Sequence, residues 1–152
     1  MILGIDPGSS TIGYAFLSGD KRKTVVGDYG VILTNKEYTP SQKLVQLAED
    51  LESLIKIHKP DSAVVEELFF STNVKTGIGV AQARGVILYI LERNNIPHTK
   101  LTPLQVKQTI TGYGKATKKQ IQQIITKLLK LESIPKPDDA ADALALAWIG
   151  LR

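Results

Sequence analysis

Cysteine is absent from this chain of 152 residues. Disulfide bonds, thiolate catalysis and cysteine-ligated zinc are therefore excluded, and any bound metal must be held mainly by oxygen ligands, which favours magnesium or manganese. No apolar run approaches the roughly 20 residues that a membrane-spanning helix needs, and no basic leader precedes the apolar start of the chain. We therefore expect a cytoplasmic protein that does not enter a membrane.

Aromatic residues are also few, at 6% of the chain, but the hydrophobic fraction of 43% and the charged fraction of 22% are typical of a globular protein. No segment combines low hydrophobicity with high charge, so the sequence does not predict a disordered tract. The length falls within the usual size of one compact domain. We expect a single domain that spans residues 1–152.

Acidic residues are scarce in one stretch of the chain. Between Lys100 and Lys136 there are eight lysines and one acid, Glu132, while the net charge of the whole chain is only +4. Such a block is typical of a surface that binds a polyanion, but it is equally typical of a solvated helix surface. Composition alone leaves both interpretations open.

The pattern of apolar residues predicts a mixed α/β sheet. Strands are predicted at 2–6, 11–17, 24–33, 62–66 and 97–101, and helices at 41–58, 77–94, 117–129 and 138–151. Thr102 and Pro103 resemble an N-cap and a first helical residue. The predicted order β-β-β-α-β-α-β-α-α describes three antiparallel strands extended by parallel ones, with helices on both faces.

Two of the predicted strands end in an acidic residue. Asp6 follows an apolar run and precedes a Pro-Gly turn, which by itself is ordinary turn chemistry. Glu66 follows Ala63 to Val65, where an acid is unfavourable unless it is paired, protonated or bound to metal. Glu67 should point to the opposite face, because strand side chains alternate. Periodicity does not decide which of the two glutamates joins Asp6.

A second pair of acids lies on the last predicted helix. Asp139 and Asp142 are three residues apart and therefore face the same way, among alanines that allow close helix packing. Capping explains Asp138 at the start of this helix but does not explain Asp142. Four carboxylates at one sheet edge would repel one another unless divalent cations neutralised them. Two magnesium ions about 4 Å apart would serve phosphodiester hydrolysis.

The chain resembles the RuvC family of Holliday-junction resolvases. The resemblance rests on Gly4-Ile5-Asp6-Pro7-Gly8-Ser9 with Gly13-Tyr14, Glu66 with Phe69, Ala81-Gln82-Ala83-Arg84-Gly85, Gln105-Val106-Lys107-Gln108-Thr109 and Asp139-Ala140-Ala141-Asp142-Ala143-Leu144-Ala145. These motifs come in family order and cover nearly the whole chain.

This resemblance implies a ribonuclease-H-like fold and a homodimer that nicks two strands of like polarity at a four-way DNA junction. It implies a catalytic, metal-binding set of Asp6, Glu66, Asp139 and Asp142, and so favours Glu66 over Glu67. Two Mg²⁺ ions are implied, with Mn²⁺ as a substitute, and a branch-migration complex of RuvA and RuvB is an implied partner. Asp138 is an extra acid that could compete for metal.

The resemblance also assigns DNA contacts. Phe69 matches an aromatic residue that stacks on a base at the junction centre. Lys107 and Lys118 match basic residues that hold the DNA backbone, and Arg84 lies in a matching motif. Lys115 and Lys119, from the same lysine-rich stretch, are further expected DNA contacts. The implied footprint thus favours the polyanion-binding interpretation of the lysine-rich stretch.

Two alternatives follow from the same residues. One is a junction-binding module that does not cut DNA, which the presence of all four acids argues against. The other is a fragment of an actin-like ATPase or sugar kinase, because those proteins place a similar Asp-Pro-Gly-Ser turn between hairpin strands. The chain is too short for the second domain that they need to close over a nucleotide.

Overall fold

A computed structural model describes the backbone of residues 1–67 and 74–152 and the side chains of residues 1–67 and 77–152. The elements in these ranges are β1 (Ile2–Asp6), β2 (Thr11–Gly19), β3 (Thr24–Leu33), α1 (Pro40–His58), β4 (Ser62–Glu66), α2 (Val74–Arg93), β5 (His98–Leu101), α3 (Pro103–Thr111), α4 (Lys118–Leu128) and α5 (Asp138–Gly150). Among the described residues, we find no helix whose length and hydropathy would let it span a bilayer.

The strands form one sheet in the order β3-β2-β1-β4-β5. β1 and β3 each pair antiparallel with β2, whereas β4 pairs parallel with both β1 and β5. This topology confirms the predicted mixed sheet. Because Ile5 pairs with Val65, β1 and β4 end side by side at the same end of the sheet.

Each face of the sheet has its own hydrophobic core, because side chains alternate along a strand. On one face, Leu3, Ile5 and Val65 lie in a buried cluster with residues of α1 and α2. On the other, Ala15 and Val64 lie in a cluster with residues of α3, α4 and α5. Helices therefore cover both faces, as the sequence predicts.

α5 lies directly on the middle strands of the sheet, where it contacts β1 and β2. Two strand glycines make this approach possible. A methyl group on Gly4 would overlap the carbonyl oxygen of Ala143, and one on Gly13 would overlap that of Asp139. The close fit fixes the first turns of α5 beside the ends of β1 and β2.

α3 is an addition to the predicted element order, which has two helices after the last strand where the structure has three. The Thr102-Pro103 signal does mark its start, and Thr102 and Gln105 form a capping box. Only Val106 and Ile110 of this nine-residue helix are buried. One apolar pair gives too little periodicity to identify a helix from sequence.

Candidate active site

Asp6 and Glu66 are the last residues of two neighbouring parallel strands. Side chains two residues apart in a strand point to the same face, so Asp6 points the same way as Gly4, and Glu66 the same way as Val64. Gly4 and Val64 both lie on the face that α5 covers. Their carboxyl groups lie close enough for the charge of Glu66 to raise the pKa of Asp6. The register of the sheet thus brings together the two acids that the sequence places at strand ends.

Glu67 points to the opposite face of the sheet. Its Oε1 lies 2.9 Å from Nη2 of Arg84, and Nε of Arg84 donates a hydrogen bond of 3.2 Å to the backbone carbonyl of Glu66. The Arg84 side chain is only 14% exposed. Arg84 therefore buttresses the end of β4 from the side of α2, and its role in DNA binding stays a prediction.

α5 contributes Asp139 and Asp142, which lie close enough to Asp6 for their charges to act on it. The Oδ2 atom of Asp142 is 2.6 Å from Nζ of Lys118, at the start of α4. Asp138 instead pairs with Lys136 at 3.3 Å. The structure thus gathers the four predicted acids around one end of the sheet and gives the extra acid a different partner.

Asp6, Glu66 and Asp142 of this cluster have raised pKa values. Burial, followed by the charges of Glu66, Asp142 and Asp139, raises the pKa of Asp6 to about 8. Burial and the charge of Asp142 raise the pKa of Glu66 to about 7. Burial also raises the pKa of Asp142, although Lys118 opposes the shift. Shifts of this kind are typical of functional sites.

Carboxylate oxygens are the ligands that magnesium and manganese prefer, and added positive charge would relieve the repulsion between these acids. The donor set therefore fits a divalent cation. Within residues 1–67 and 77–152, however, no three acidic or histidine side chains already surround a common point. Metal binding would have to draw the carboxylates together, with loss of the protons that they hold.

A cavity of about 210 Å³ opens beside the carboxylates. Its lining residues are Glu66, Pro103, Val106, Lys107, Lys118, Ile121, Asp142 and Ala145. Two acids and two lysines therefore face one space. Such a space suits a phosphodiester group, whose charge the lysines would neutralise.

The other lysines predicted to contact DNA lie close to Lys118 in the sequence. Lys115 precedes α4 and Lys119 is in its first turn, and both side chains are exposed. Their position next to Lys118 extends the basic surface. Phe69 lies outside the described residues, so its stacking role stays a prediction.

The contact between Lys118 and Asp142 is the feature of the site that sequence reasoning misses. Both residues are identified from the sequence, but as a DNA contact and a metal ligand. Their pairing depends on how α4 packs on α5, and no local pattern encodes that arrangement. The spacing of Lys118 and Ile121 does place both residues on one face of α4, which is the only sequence signal that points the lysine inward.

Residues 2–149 match the family model described as crossover junction endodeoxyribonuclease RuvC. A protein of that name from Fusobacterium nucleatum is 52% identical over 145 residues, which are 95% of this chain and 76% of that protein. Another from Petrotoga mobilis is 52% identical over 148 residues, which are 97% of this chain and 91% of that protein. The similarity therefore extends through every element of the fold.

Solved structures show the same architecture. The structure of Thermus thermophilus RuvC in complex with Holliday junction substrate superposes with a TM-score of 0.90 at 26% identity, covering 97% of this chain and 90% of that one. The yeast mitochondrial Holliday junction resolvase Ydc2 gives a TM-score of 0.69 at 18% identity, covering 97% and 78% of the two chains. The second likeness concerns the fold alone.

Proposed function

The chain belongs to the RuvC family of crossover junction endodeoxyribonucleases, and from this premise we propose which of its residues carry the reaction. It is an endonuclease that resolves Holliday junctions. We propose that it makes symmetric nicks in two strands of like polarity, with residues 1–152 acting as one nuclease domain. Since its substrate is DNA, we expect it to act in the cytoplasm.

One observation carries the assignment of the site. Asp6, Glu66, Asp139 and Asp142 come from β1, β4 and α5 and converge beside a cavity that two lysines line. The raised pKa values of Asp6, Glu66 and Asp142 arise from burial and from the repulsion of neighbouring carboxylates. Burying several mutually repelling carboxylates lowers the stability of the fold. Cation binding would relieve the repulsion and explains why the cluster is present.

We propose that these four carboxylates are the metal ligands of a metal-dependent nuclease, with two Mg²⁺ ions per site and Mn²⁺ as a substitute. Such ions, when bound, activate a water molecule and stabilise the leaving oxygen. Asp6 and Glu66 must release their protons to become ligands, because a protonated carboxyl does not coordinate well. We expect Asp138, which pairs with Lys136, to remain outside this set.

The chain's own cations position the substrate. Lys107 and Lys118 lie on the walls of the cavity, where their ammonium groups can donate charge-assisted hydrogen bonds to phosphate oxygens. Lys115 and Lys119 extend this positive surface toward a DNA arm. Phe69 and Arg84 complete the proposed DNA contacts on the basis of the family motifs.

We propose that the protein acts as a homodimer, because a two-fold symmetric junction requires two sites. The exposed side of α2 supports this proposal. It carries Ile78, which is 54% exposed, Tyr89, which is 62% exposed, and Gly85, around which a side chain would meet nothing within 4 Å. A RuvA and RuvB branch-migration complex is a proposed partner on family grounds alone.

The family match over residues 2–149 supports the RuvC assignment and gives no support to the actin-like alternative. The junction-binding module remains an outcome of the experiment below.

The test is cleavage of a synthetic mobile four-way junction with Mg²⁺, comparing the wild-type protein with Asp6→Asn. We expect paired nicks from the wild type and a loss of at least about a hundredfold in the variant, with junction binding retained. Asp138→Asn is the matched control, since it removes a nearby acid that pairs with Lys136, and it should cut like the wild type. Tight binding without cutting by the wild type, with either Mg²⁺ or Mn²⁺, would leave only the binding module.

A further inference from the structure

Lys118 has two competing anionic partners at the active site. Its Nζ lies 2.6 Å from Oδ2 of Asp142, within the range of a strong charge-assisted hydrogen bond. The same side chain also lines the cavity proposed for the DNA phosphate. A phosphate in this cavity would compete with the Asp142 carboxylate for the charge of the same ammonium group.

The surroundings of Lys118 favour the carboxylate side of this competition. Burial disfavours its charge, but the hydrogen bond and charge of Asp142, together with the charges of Asp6 and Asp138, outweigh that effect and raise its pKa. Lys118 thus supplies positive charge to several acids at once. A divalent cation bound by Asp142 would compete with the ammonium group for the charge of the same carboxylate.

The side chain is also free to leave. Lys118 is 53% exposed, whereas Asp142 is 22% exposed, so the lysine is the mobile partner of the pair. Lysine has a long flexible stem, and Lys118 is the first residue of α4, so its stem can turn toward the cavity without moving the helix.

We propose that Lys118 is a switch between two anions: it neutralises Asp142 until a divalent cation binds that carboxylate, and it then binds a DNA phosphate in the adjacent cavity. This inference rests on the proposed function, because it takes Asp142 as a metal ligand. It makes Lys118 a competitor of the metal as well as a contact for the substrate. Metal binding would thereby raise the affinity for DNA.

The first test measures metal affinity without DNA. The melting temperature of the protein is followed against Mg²⁺ concentration at one fixed, mildly alkaline pH for all variants, and the dissociation constant is taken from the stabilisation. Lys118→Met should bind Mg²⁺ about three- to tenfold more tightly than the wild type, because the competing ion pair is lost. Lys118→Gln serves as a second variant in case the methionine protein does not fold.

Lys107→Met is the matched control. It removes the same charge from the wall of the same cavity, but Lys107 makes no ion pair with an acid within the described ranges. Its Mg²⁺ affinity should stay within about twofold of the wild type. An equal gain in Mg²⁺ affinity in Lys118→Met and Lys107→Met would overturn the proposal, because the gain would then come from the lower positive charge of the cavity and not from the lost ion pair. Unchanged affinity in Lys118→Met would overturn it as well.

The second test measures coupling to DNA, using a junction whose crossover linkages resist hydrolysis. Metal and DNA binding must influence each other reciprocally if they share Lys118. The ratio of junction affinity with Mg²⁺ to that without should be about threefold or more higher in the wild type than in Lys118→Met. Equal ratios in the two proteins would overturn the switch.

These outcomes separate the switch from the proposed function. A wild-type protein that binds Mg²⁺ and cuts junctions, with a Lys118→Met affinity no tighter than its own, would remove the switch and leave the nuclease site intact. A wild-type protein without any Mg²⁺ stabilisation would instead remove the proposed metal ligands, and the switch with them.

Discussion

At the scale of single residues, the adjacent acids Glu66 and Glu67 have opposite electrostatic environments. Glu66 points into the carboxylate cluster, where burial and the charge of Asp142 raise its pKa to about 7. Glu67 points to the other face and pairs with Arg84 at 2.9 Å. Neutralising Glu66 relieves its repulsion with Asp142. Neutralising Glu67 instead removes its attraction to Arg84.

The stability of the metal-free protein should therefore respond to these two residues with opposite sign. Glu66 binds its proton more strongly in the folded state than at its ordinary pKa of 4.5, so its ionisation lowers stability as pH rises from about 4.5 to 7. Glu66→Gln avoids this loss. Above pH 7, we expect it to raise the free energy of unfolding by about 1–3 kcal/mol, measured by denaturant titration in chelator.

Glu67→Gln is the matched control for that experiment. It is the same substitution one residue along the chain, and it should lower the free energy of unfolding by up to about 1 kcal/mol because the half-buried Arg84 loses its partner. The stabilisation by Glu66→Gln relative to the wild type should vanish as the pH falls below about 4, where Glu66 is protonated in both the folded and the unfolded state. Destabilisation by Glu66→Gln at pH 8 would contradict the electrostatic description of the cluster.

At the scale of secondary-structure elements, the contact between α5 and the sheet determines where Asp139 and Asp142 lie. Gly13 of β2 faces the backbone of Asp139, and Gly4 of β1 faces that of Ala143. Neither glycine has a left-handed backbone, so each is required for space and not for conformation. The positions of Asp139 and Asp142 thus depend on the absence of a side chain at Gly4 and at Gly13.

A methyl group at Gly13 should displace the first turn of α5. Gly13→Ala would overlap the Asp139 carbonyl oxygen, and we expect it to lower the free energy of unfolding by about 1–3 kcal/mol and to reduce junction cutting at least tenfold. Gly85→Ala is the control, because its methyl group meets nothing within 4 Å. That substitution should stabilise the isolated chain by about 0.5–1 kcal/mol.

Element patterns also mark the limit of what the sequence predicts. Strand ends at Asp6 and Glu66, and the spacing of Asp139 and Asp142, follow from periodicities that local sequence encodes. The helix at Pro103–Thr111 does not, because only two of its residues are buried. The contacts of Lys118 with Asp142 and of Arg84 with Glu67 join elements distant in sequence, so they depend on packing that periodicity does not report.

At the scale of the whole molecule, the active site and the exposed side of α2 are related through the substrate. A four-way junction has two strands to cut, and the part of this chain that the structure describes has one such carboxylate cluster, formed from β1, β4 and α5. A second copy must supply the second cut if the nicks are paired. The open space at Gly85, between exposed Ile78 and Tyr89, would let another helix approach closely.

A charge on this side of α2 should separate the two copies without disturbing the site. If the proposed homodimer forms through this side of α2, Tyr89→Glu should convert it into a monomer in sedimentation, because burial of an unpaired carboxylate in an apolar interface is unfavourable. Tyr113→Glu is the control, since Tyr113 is similarly exposed, at 58%, but lies between α3 and α4. The monomer keeps its carboxylates, so it should still nick a junction while losing the paired timing of its two cuts. A dimer that persists in Tyr89→Glu would mean that the two copies meet through another surface. If that dimer made only single nicks, the pairing of the two cuts would depend on more than bringing two active sites together.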